Sequence, residues 1–292
     1  MKPAAFDYHA PESVGDVVAL LGEHGDEAKV LAGGQSLVPM LALRLTRFEH
    51  LVDVTRVGEL VGITRSNGSL RIAAATPQAV AEHDPVVGES VPLLGRAIPY
   101  IGHFQIRNRG TVGGSLAHAD PASELPAVAL ALDAVFEAVG PAGGREIAAS
   151  EFFTGTWSTA LADDEVLVGT RFPVWEGRVG FGFGEIARRS GDFALAGVAV
   201  GVELDGDDRI TRSAVGLFGV GSMPVRATSV EAAITGQSPG ADTVKGAALA
   251  GAAELETVAD VHATASYRTR VAAHLMETAL NAAIEEAGGV GA

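Results

Sequence analysis

The sequence predicts an α+β protein in which two small α/β lobes are followed by a C-terminal part that joins an antiparallel sheet to helices. Three observations carry that prediction. Short apolar strand-like runs alternate with helical patterns from the N-terminus to about residue 176. Two longer runs, Ala194 to Leu204 and Ile210 to Phe218, are joined by the turn-forming DGDD, as in an antiparallel hairpin. Helical patterns near Ala227 to Ile234, Thr243 to Leu255 and Ser266 to Glu286 then close the chain.

In order along the chain, Ser13 with Asp16 resembles a capping box, and Val17, Val18, Leu20 and Leu21 give the first helix its apolar stripe before Gly22 and Gly25. Lys29 to Leu31 reads as a strand that runs into Gly33 and Gly34. Ser36 can cap a second helix carrying Leu37, Met40, Leu41 and Leu45, with Pro39 tolerated in its first turn. Leu51 to Val54 closes a βαβ-like unit. Leu70 to Ala74 alternates as a strand, and Thr76 before Pro77 reads as an N-cap. A helix over Pro92 to Ile98, the helical PASELPAVALALDA, the strand VFEAVG and a strand over Glu165 to Phe172 complete the second lobe, and the pattern changes around Trp175 to Gly180. The expected parts are residues 1–176, in lobes of about 1–57 and 58–176, and residues 177–292.

Composition narrows the function. The chain has 292 residues, 47% of them apolar, which is ample for a large core. Its 36 acidic against 21 basic residues give a net charge of −15, which disfavours nucleic acid and anionic membranes as partners. No run approaches the roughly 20 apolar residues of a membrane span, and MKPAAFDYHAPES lacks a basic stretch leading into an apolar one, so the cytoplasm is the expected location. The absence of cysteine removes disulfides, thiolate catalysis and a cysteine-held iron–sulfur cluster from this chain. The eight histidines show no metal-binding spacing and the acidic residues no calcium-loop pattern, so no metal site is expected.

Two glycine-rich stretches carry the chemistry. AGGQS at Ala32 to Ser36 and RGTVGGSLAHADP at Arg109 to Pro121 each bring backbone amides to a turn or helix start where no side chain blocks an anionic oxygen. Two such cradles fit a ligand with two adjacent phosphates; the competing reading is that both are simply turns. Neither GxGxxG nor GxxxxGK[ST] occurs, which argues against an ordinary Rossmann dinucleotide site and a P-loop.

VLAGGQSLVPMLALRL and IRNRGTVGGSLAHADPASELPAVALALDA resemble the two FAD pyrophosphate loops of the medium subunits of carbon monoxide dehydrogenase-type enzymes, within the xanthine dehydrogenase family of molybdenum hydroxylases. EIARRSGDFALAGVAV is similar to that family's link into its C-terminal flavoprotein domain. The resemblance implies a two-lobed PCMH-type FAD-binding domain, an α+β C-terminal domain, and a role as an oxidoreductase subunit. It also implies a large partner with a molybdopterin cofactor and a small partner with two [2Fe–2S] clusters, assembled as a dimer of heterotrimers. Electrons would pass from the clusters through FAD to a quinone or another acceptor. The substrate side stays open between carbon monoxide, an aldehyde and an N-heterocycle. A stand-alone FAD-dependent oxidase and a cofactor-free binding protein are the readings from other classes.

Carried over by position, Ala32, Gly33, Gly34, Gln35 and Ser36 match the first loop, with Gln35 where some members have histidine. Thr111, Gly113, Gly114 and Ser115 match the second, and Glu124 aligns with an acidic FAD contact that reads equally as a first-turn carboxylate. Val166 and Leu167 fall where relatives pack apolar groups on the flavin, and Phe193 where some place tyrosine near its ring. Arg107 and Arg109 either neutralise phosphate or fix the loop. Arg188, Arg189 and Asp192 position the Phe193 segment or form surface ion pairs. His118 and Asp120 read better as turn hydrogen-bonding groups than as a dyad. No catalytic side chain is assigned, since FAD would carry the electron chemistry.

Overall fold

The computed structural model describes residues 2–289. The first lobe holds β1 (Asp7–His9), α1 (Val14–His24), β2 (Ala28–Leu31), α2 (Leu37–Ala42) and β3 (His50–Asp53), with the strands in a parallel sheet ordered β1-β3-β2. Ser13 caps α1 by accepting a hydrogen bond from the Asp16 amide at 3.1 Å. Val17 and Leu21 of α1 then bury against Val52. Ser36 does not cap α2 through its side chain, because its backbone is already near the helical region with φ −100° and ψ −49°. An N-cap hydroxyl reaches its amide from an extended backbone. The helix ends before Leu45, where Arg44 turns the chain at φ 58°.

One arrangement in this lobe has no counterpart in the linear histidine spacing. The last turn of α1 brings His24 beside His9 of β1 and His50 of β3, with one ligand atom from each within 4.8 Å of the others.

The second lobe contains β4 (Ile63–Ser66), β5 (Ser69–Ala73), α3 (Gln78–His83), α4 (Pro85–Ser90), α5 (Pro92–Ala97), α6 (Phe104–Arg107), α7 (Val112–His118), α8 (Glu124–Ala131), β6 (Val135–Gly140), β7 (Gly143–Ala148), α9 (Ala149–Phe152), β8 (Phe153–Gly155), β9 (Ser158–Thr159) and β10 (Val166–Pro173). Its five-stranded sheet is antiparallel throughout, in the order β4-β5-β10-β6-β7. Thr76 is not the cap of α3, a place taken by Pro77. Its hydroxyl instead accepts from the Gly62 amide at 3.0 Å and donates to the Gly62 carbonyl at 3.1 Å, tying the loop before β4 to the sheet. Val166 of β10 packs into the core of the first lobe, so the two lobes share apolar contacts.

The C-terminal part holds β11 (Arg178–Ala187), β12 (Ala194–Leu204), β13 (Ile210–Phe218), β14 (Val225–Arg226), α10 (Thr228–Ile234), α11 (Ala241–Ala253) and α12 (Ala265–Ala287). The four strands form an antiparallel sheet in sequence order. The three helices cover one face, burying Val198, Val200, Val215 and Leu217 with Val230, Ala248, Met276 and Leu280. Gly180 and Gly182 let β11 touch the backbone of α12, since a Cβ at either would strike the carbonyl oxygen of Ala283 or Ala279. Every residue of α8 is buried, and the same helix meets the sheet where Gly216 faces the Ala127 carbonyl. This packing locks the C-terminal sheet to the helix that follows the second glycine loop.

Candidate FAD-binding site

β2 delivers the first glycine loop to the edge of the sheet, and the chain before α7 delivers the second. They meet backbone to backbone at Gly33. A Cβ there would overlap the Arg109 carbonyl oxygen and come within 2.6 Å of Gly110 Cα. Ala32 in turn lies against Gly114, at 3.3 Å from the position of a Cβ on that glycine. Beside this junction is a cavity of about 340 Å³ lined by Ala32, Gly33, Gly34, Gln35, Asp53 and Arg109, with Leu31, Val38 and Pro39 as its apolar wall.

The two loops do different work. In the first, Gly34 adopts φ 72°, and the Gln35 side chain donates to the Gly33 carbonyl at 2.8 Å, holding the turn. Among the described residues, the amides of Gly33, Gly34, Gln35 and Ser36 donate to no protein acceptor. Four successive free amides beside an arginine make a strong anion cradle. In the second loop the amides from Val112 to Ser115 are already used. Val112 N donates to Thr76 O at 3.0 Å, Gly113 N to Ala74 O at 2.9 Å, Gly114 N to Thr111 Oγ1 at 3.0 Å, and Ser115 N to Thr111 O at 3.1 Å. Its glycines serve close packing: a Cβ on Gly113 would sit 2.5 Å from Ala74 Cα. What it can offer a ligand is hydroxyls, with Ser115 and Ser123 linked at 3.1 Å.

The arginines divide in the same way. Arg107 is buried and structural, paired with Glu82 at 2.7 and 3.0 Å and donating to the Ile101 and Gly102 carbonyls at 3.1 and 3.3 Å. Arg109 lines the cavity. Opposite it stands Asp53, which sequence reading passed over. Burial would raise its pKa, but hydrogen bonds from Thr55 and Tyr8 and the Arg109 charge hold it below the usual carboxylate value. Its position at the C-terminal end of a parallel strand, where α/β ligand sites form, was the signal available.

His118 and Asp120 do not form a dyad. Their closest approach is 3.9 Å, while Asp120 accepts from Trp157 Nε1 at 3.2 Å and from the Ala122 amide at 2.9 Å. Burial lowers the His118 pKa. Phe193 is 70% exposed on the turn after β11, and that turn packs on His103, with Gly191 against the imidazole ring. The Arg188 to Phe193 segment therefore sits beside the chain leading into the second loop. Arg188 Nη1 lies 3.4 Å from His262 Nδ1. Val166 and Leu167 are core residues, 3% and 5% exposed, outside the cavity lining.

Glu124 opens α8 and is buried, which pushes its pKa up to about 8, with the Glu185 and Asp120 charges adding to the rise. Burial likewise raises Glu185 to about 7. Burial thus favours the protonated Glu124 carboxyl. An unfolded chain gives up that proton near the ordinary glutamate pKa, so between about pH 4.5 and 8 the native state holds the extra proton and stability falls as pH rises. Replacing Glu124 by Gln is expected to flatten this slope by up to roughly 1.4 kcal/mol per pH unit, making the variant the more stable protein at pH 8. Urea unfolding of both proteins from pH 5 to 8 measures it, and parallel pH profiles would refute the assignment.

The comparisons agree with the geometry. Residues 4–175 match the model for the FAD binding domain in molybdopterin dehydrogenase, and residues 182–283 that for the CO dehydrogenase flavoprotein C-terminal domain. The chain is 38% identical to the carbon monoxide dehydrogenase medium chain of Hydrogenophaga pseudoflava, over 97% of this chain and 98% of that one. It is also 38% identical to subunit alpha of the 6-hydroxypseudooxynicotine dehydrogenase complex of Paenarthrobacter nicotinovorans, over 98% and 97%. A solved structure of carbon monoxide dehydrogenase from Hydrogenophaga pseudoflava superimposes with a TM-score of 0.96 at 40% identity, covering 98% of this chain and 99% of the matched one. Quinoline 2-oxidoreductase from Pseudomonas putida 86 gives 0.92 at 34% identity, covering 99% of each. A cradle of free amides beside Arg109, on a chain that matches these proteins from end to end, places it in the family of FAD-binding oxidoreductase subunits of molybdenum hydroxylases typified by the carbon monoxide dehydrogenase medium chain.

Proposed function

We propose that this chain is the electron-transfer subunit of a heterotrimeric molybdenum hydroxylase, with the FAD pyrophosphate held at Ala32 to Ser36. The observation that carries the proposal is the row of free amides at Gly33 to Ser36, of which Gly33, Gly34 and Gln35 line a cavity together with Arg109. A pyrophosphate needs donors and positive charge together, and both are present in an otherwise acidic chain. FAD, when bound, links one-electron iron–sulfur clusters to a quinone or other acceptor. The protein's part is to hold and shield it. Arg109 and the first-loop amides would fix the phosphates, Thr111 and Ser115 would supply hydroxyls from the second loop while Gly113 and Gly114 let it pack closely, and neutral Glu124 could donate to a flavin or ribityl oxygen. Val166, Leu167 and Phe193 would bound the ring, Phe193 contributing apolar cover without a hydroxyl.

In this reading residues 1–176 form the FAD-binding part, in lobes 1–57 and 58–176, and residues 177–292 the C-terminal flavoprotein domain. The partners are a large molybdopterin subunit and a small subunit with two [2Fe–2S] clusters, in a cytoplasmic dimer of heterotrimers. Among the described residues no helix is long and apolar enough to cross a membrane. Substrate identity belongs to the large subunit.

The test is to incubate the purified chain with FAD, desalt it, record the visible spectrum and identify the released cofactor by mass. Retained FAD, and co-purification of a cysteine-rich and a molybdenum-binding chain with it, are the expected results. A colourless chain that stays colourless inside the purified complex overturns the cofactor assignment. Reduction of the flavin on adding substrate to the complex, absent from the isolated chain, tests the electron-transfer role.

A further inference from the structure

Three histidines distant in sequence converge on the α1 side of the first-lobe sheet, His24 and His50 at the end that lies away from the glycine loops. In the parallel β1–β3 pair, Asp7 is opposite His50 and His9 opposite Val52. Paired residues share a face and so do residues two apart, so His9 and His50 project to the same side as Val52. That side is covered by α1, whose Val17 and Leu21 bury with Val52, and whose last turn carries His24. The backbone itself therefore gathers the three imidazoles.

His24 and His50 stack with ring centroids 3.7 Å apart, and His9 lies 5.3 Å from His50 and 5.4 Å from His24. His9 Nε2 faces His50 Nδ1 at 3.1 Å. Among the described residues these rings have no other hydrogen-bond partner, neither carboxylate nor carbonyl. A mere packing cluster leaves two ring nitrogens sharing one proton and His24 with no partner. A metal ion satisfies all three. Two nitrogen ligands of a tetrahedral zinc ion stand about 3.3 Å apart, close to the His9 to His50 distance. The widest separation allowed among the three ligand atoms, 4.8 Å, closes to that value through side-chain shifts of about 1.5 Å, together with rotation of His24 and His50 out of their stack so that the ion lies in the plane of each ring.

We propose that His9, His24 and His50 form a site for one divalent late first-row ion, with zinc as the reference ligand, separate from the flavin site. Three neutral imidazoles are the donor set such ions prefer. Each ring is half-buried, so one side stays open for a water as fourth ligand. The C-terminal end of α1 adds the negative end of a helix dipole, and Asp26 and Glu27 follow it directly. Ala28, which begins β2, is paired with His50, whereas the phosphate-binding loop leaves the other end of β2 after Leu31. The ion would thus lie roughly 10 Å of strand away from that loop. Its work is to clamp the three-residue edge strand β1 to α1 and β3.

The test uses the full chain with any affinity tag removed, stripped with a chelator and titrated with zinc chloride by calorimetry. One equivalent should bind, the thermal midpoint should rise, and X-ray absorption of the zinc-loaded chain should show three imidazole nitrogens. Since losing a mere outer-shell partner of a metal costs 10–100-fold in affinity, His24→Ala and His50→Ala should each weaken binding by at least about 100-fold. His274→Ala, on the exposed side of α12, should leave it unchanged. Failure to bind one equivalent, or full binding by both site variants, overturns the proposal. Fewer than three imidazole ligands in the absorption spectrum of the unsubstituted chain does so as well, whether or not the variants fold.

Discussion

Gly33→Val should give a folded chain that loses its FAD on desalting, with the dissociation constant raised by at least about 100-fold, or about 2.7 kcal/mol. The added Cβ meets only backbone: the Arg109 carbonyl, Gly110 Cα at 2.6 Å and Arg109 C at 2.8 Å. No rotamer relieves that contact, so the two loops must part. Parting them would turn the Gly33 to Ser36 amides away from the proposed pyrophosphate position and draw Arg109 out of the cavity. A hydrogen bond to a charged group contributes about 1.5–3 kcal/mol, so losing one or two gives the expected magnitude. Gly34→Ala should do less. Its φ of 72° strains an alanine by about 1–2 kcal/mol, but its nearest neighbours are the side chains of Val38 and Leu31, which can yield. Gly58→Ala, with open space around the new methyl, is the control. The readout is the ratio of flavin to protein absorbance after desalting, with circular dichroism and gel filtration to verify folding. A Gly33→Val protein that retains a full equivalent of FAD would sink the cradle.

Much of this site was legible because it is local. AGGQS is continuous, and its cradle needs only a glycine turn between a strand and a helix. The division of labour between the loops was not legible. That Gly113 faces Ala74 depends on how the end of β5 packs under α7, and no short window of sequence contains both, whereas Gly114 against Thr111 is a local N-cap contact. Arg107 and Arg109 look alike in IRNRG, yet Glu82, 25 residues upstream of Arg107, decides which one is structural. The hairpin of β12 and β13 was readable to its ends, since both strands are long, largely apolar runs separated by the turn-forming DGDD. Its neighbour β11 was missed for the opposite reason. VGFGFGE puts glycine at alternate positions, which lowers strand propensity, and those glycines are explained only by the contact with α12. β1 and β4 were missed because strands of three and four exposed or half-exposed residues carry no pattern. The histidine cluster lay hidden for the same reason as the arginine roles: its members come from three elements.

Arg268→Met should lower the thermal midpoint by roughly 6–12 °C, corresponding to about 3 kcal/mol. Arg268 is only 4% exposed, and its guanidinium donates to the Leu195 carbonyl at 2.6 Å, the Gly219 carbonyl at 2.5 Å and the Asp260 carboxylate at 2.6 Å. Methionine fills the same volume but offers no donor, so two carbonyls are stranded at about 1–3 kcal/mol each. Asp260 matters less. Its side chain is 44% exposed and it also accepts from the His262 and Ala263 amides at 2.8 and 2.9 Å, so Asp260→Asn should cost under about 1 kcal/mol. Arg268→Lys should fall between, because one ammonium cannot span three acceptors that a planar fork reaches together. The effect should also reach the cofactor site. Gly219, held through its carbonyl by Arg268, donates its amide to the Pro121 carbonyl at 2.7 Å, at the end of the second glycine loop. Arg268→Met should therefore speed FAD loss at temperatures below unfolding, whereas a substitution that destabilises the C-terminal part away from this link should not. Differential scanning fluorimetry followed through both protein and flavin emission separates the two effects. Equal costs for Arg268→Met and Asp260→Asn would show that the ion pair, rather than the two carbonyls, is what Arg268 contributes.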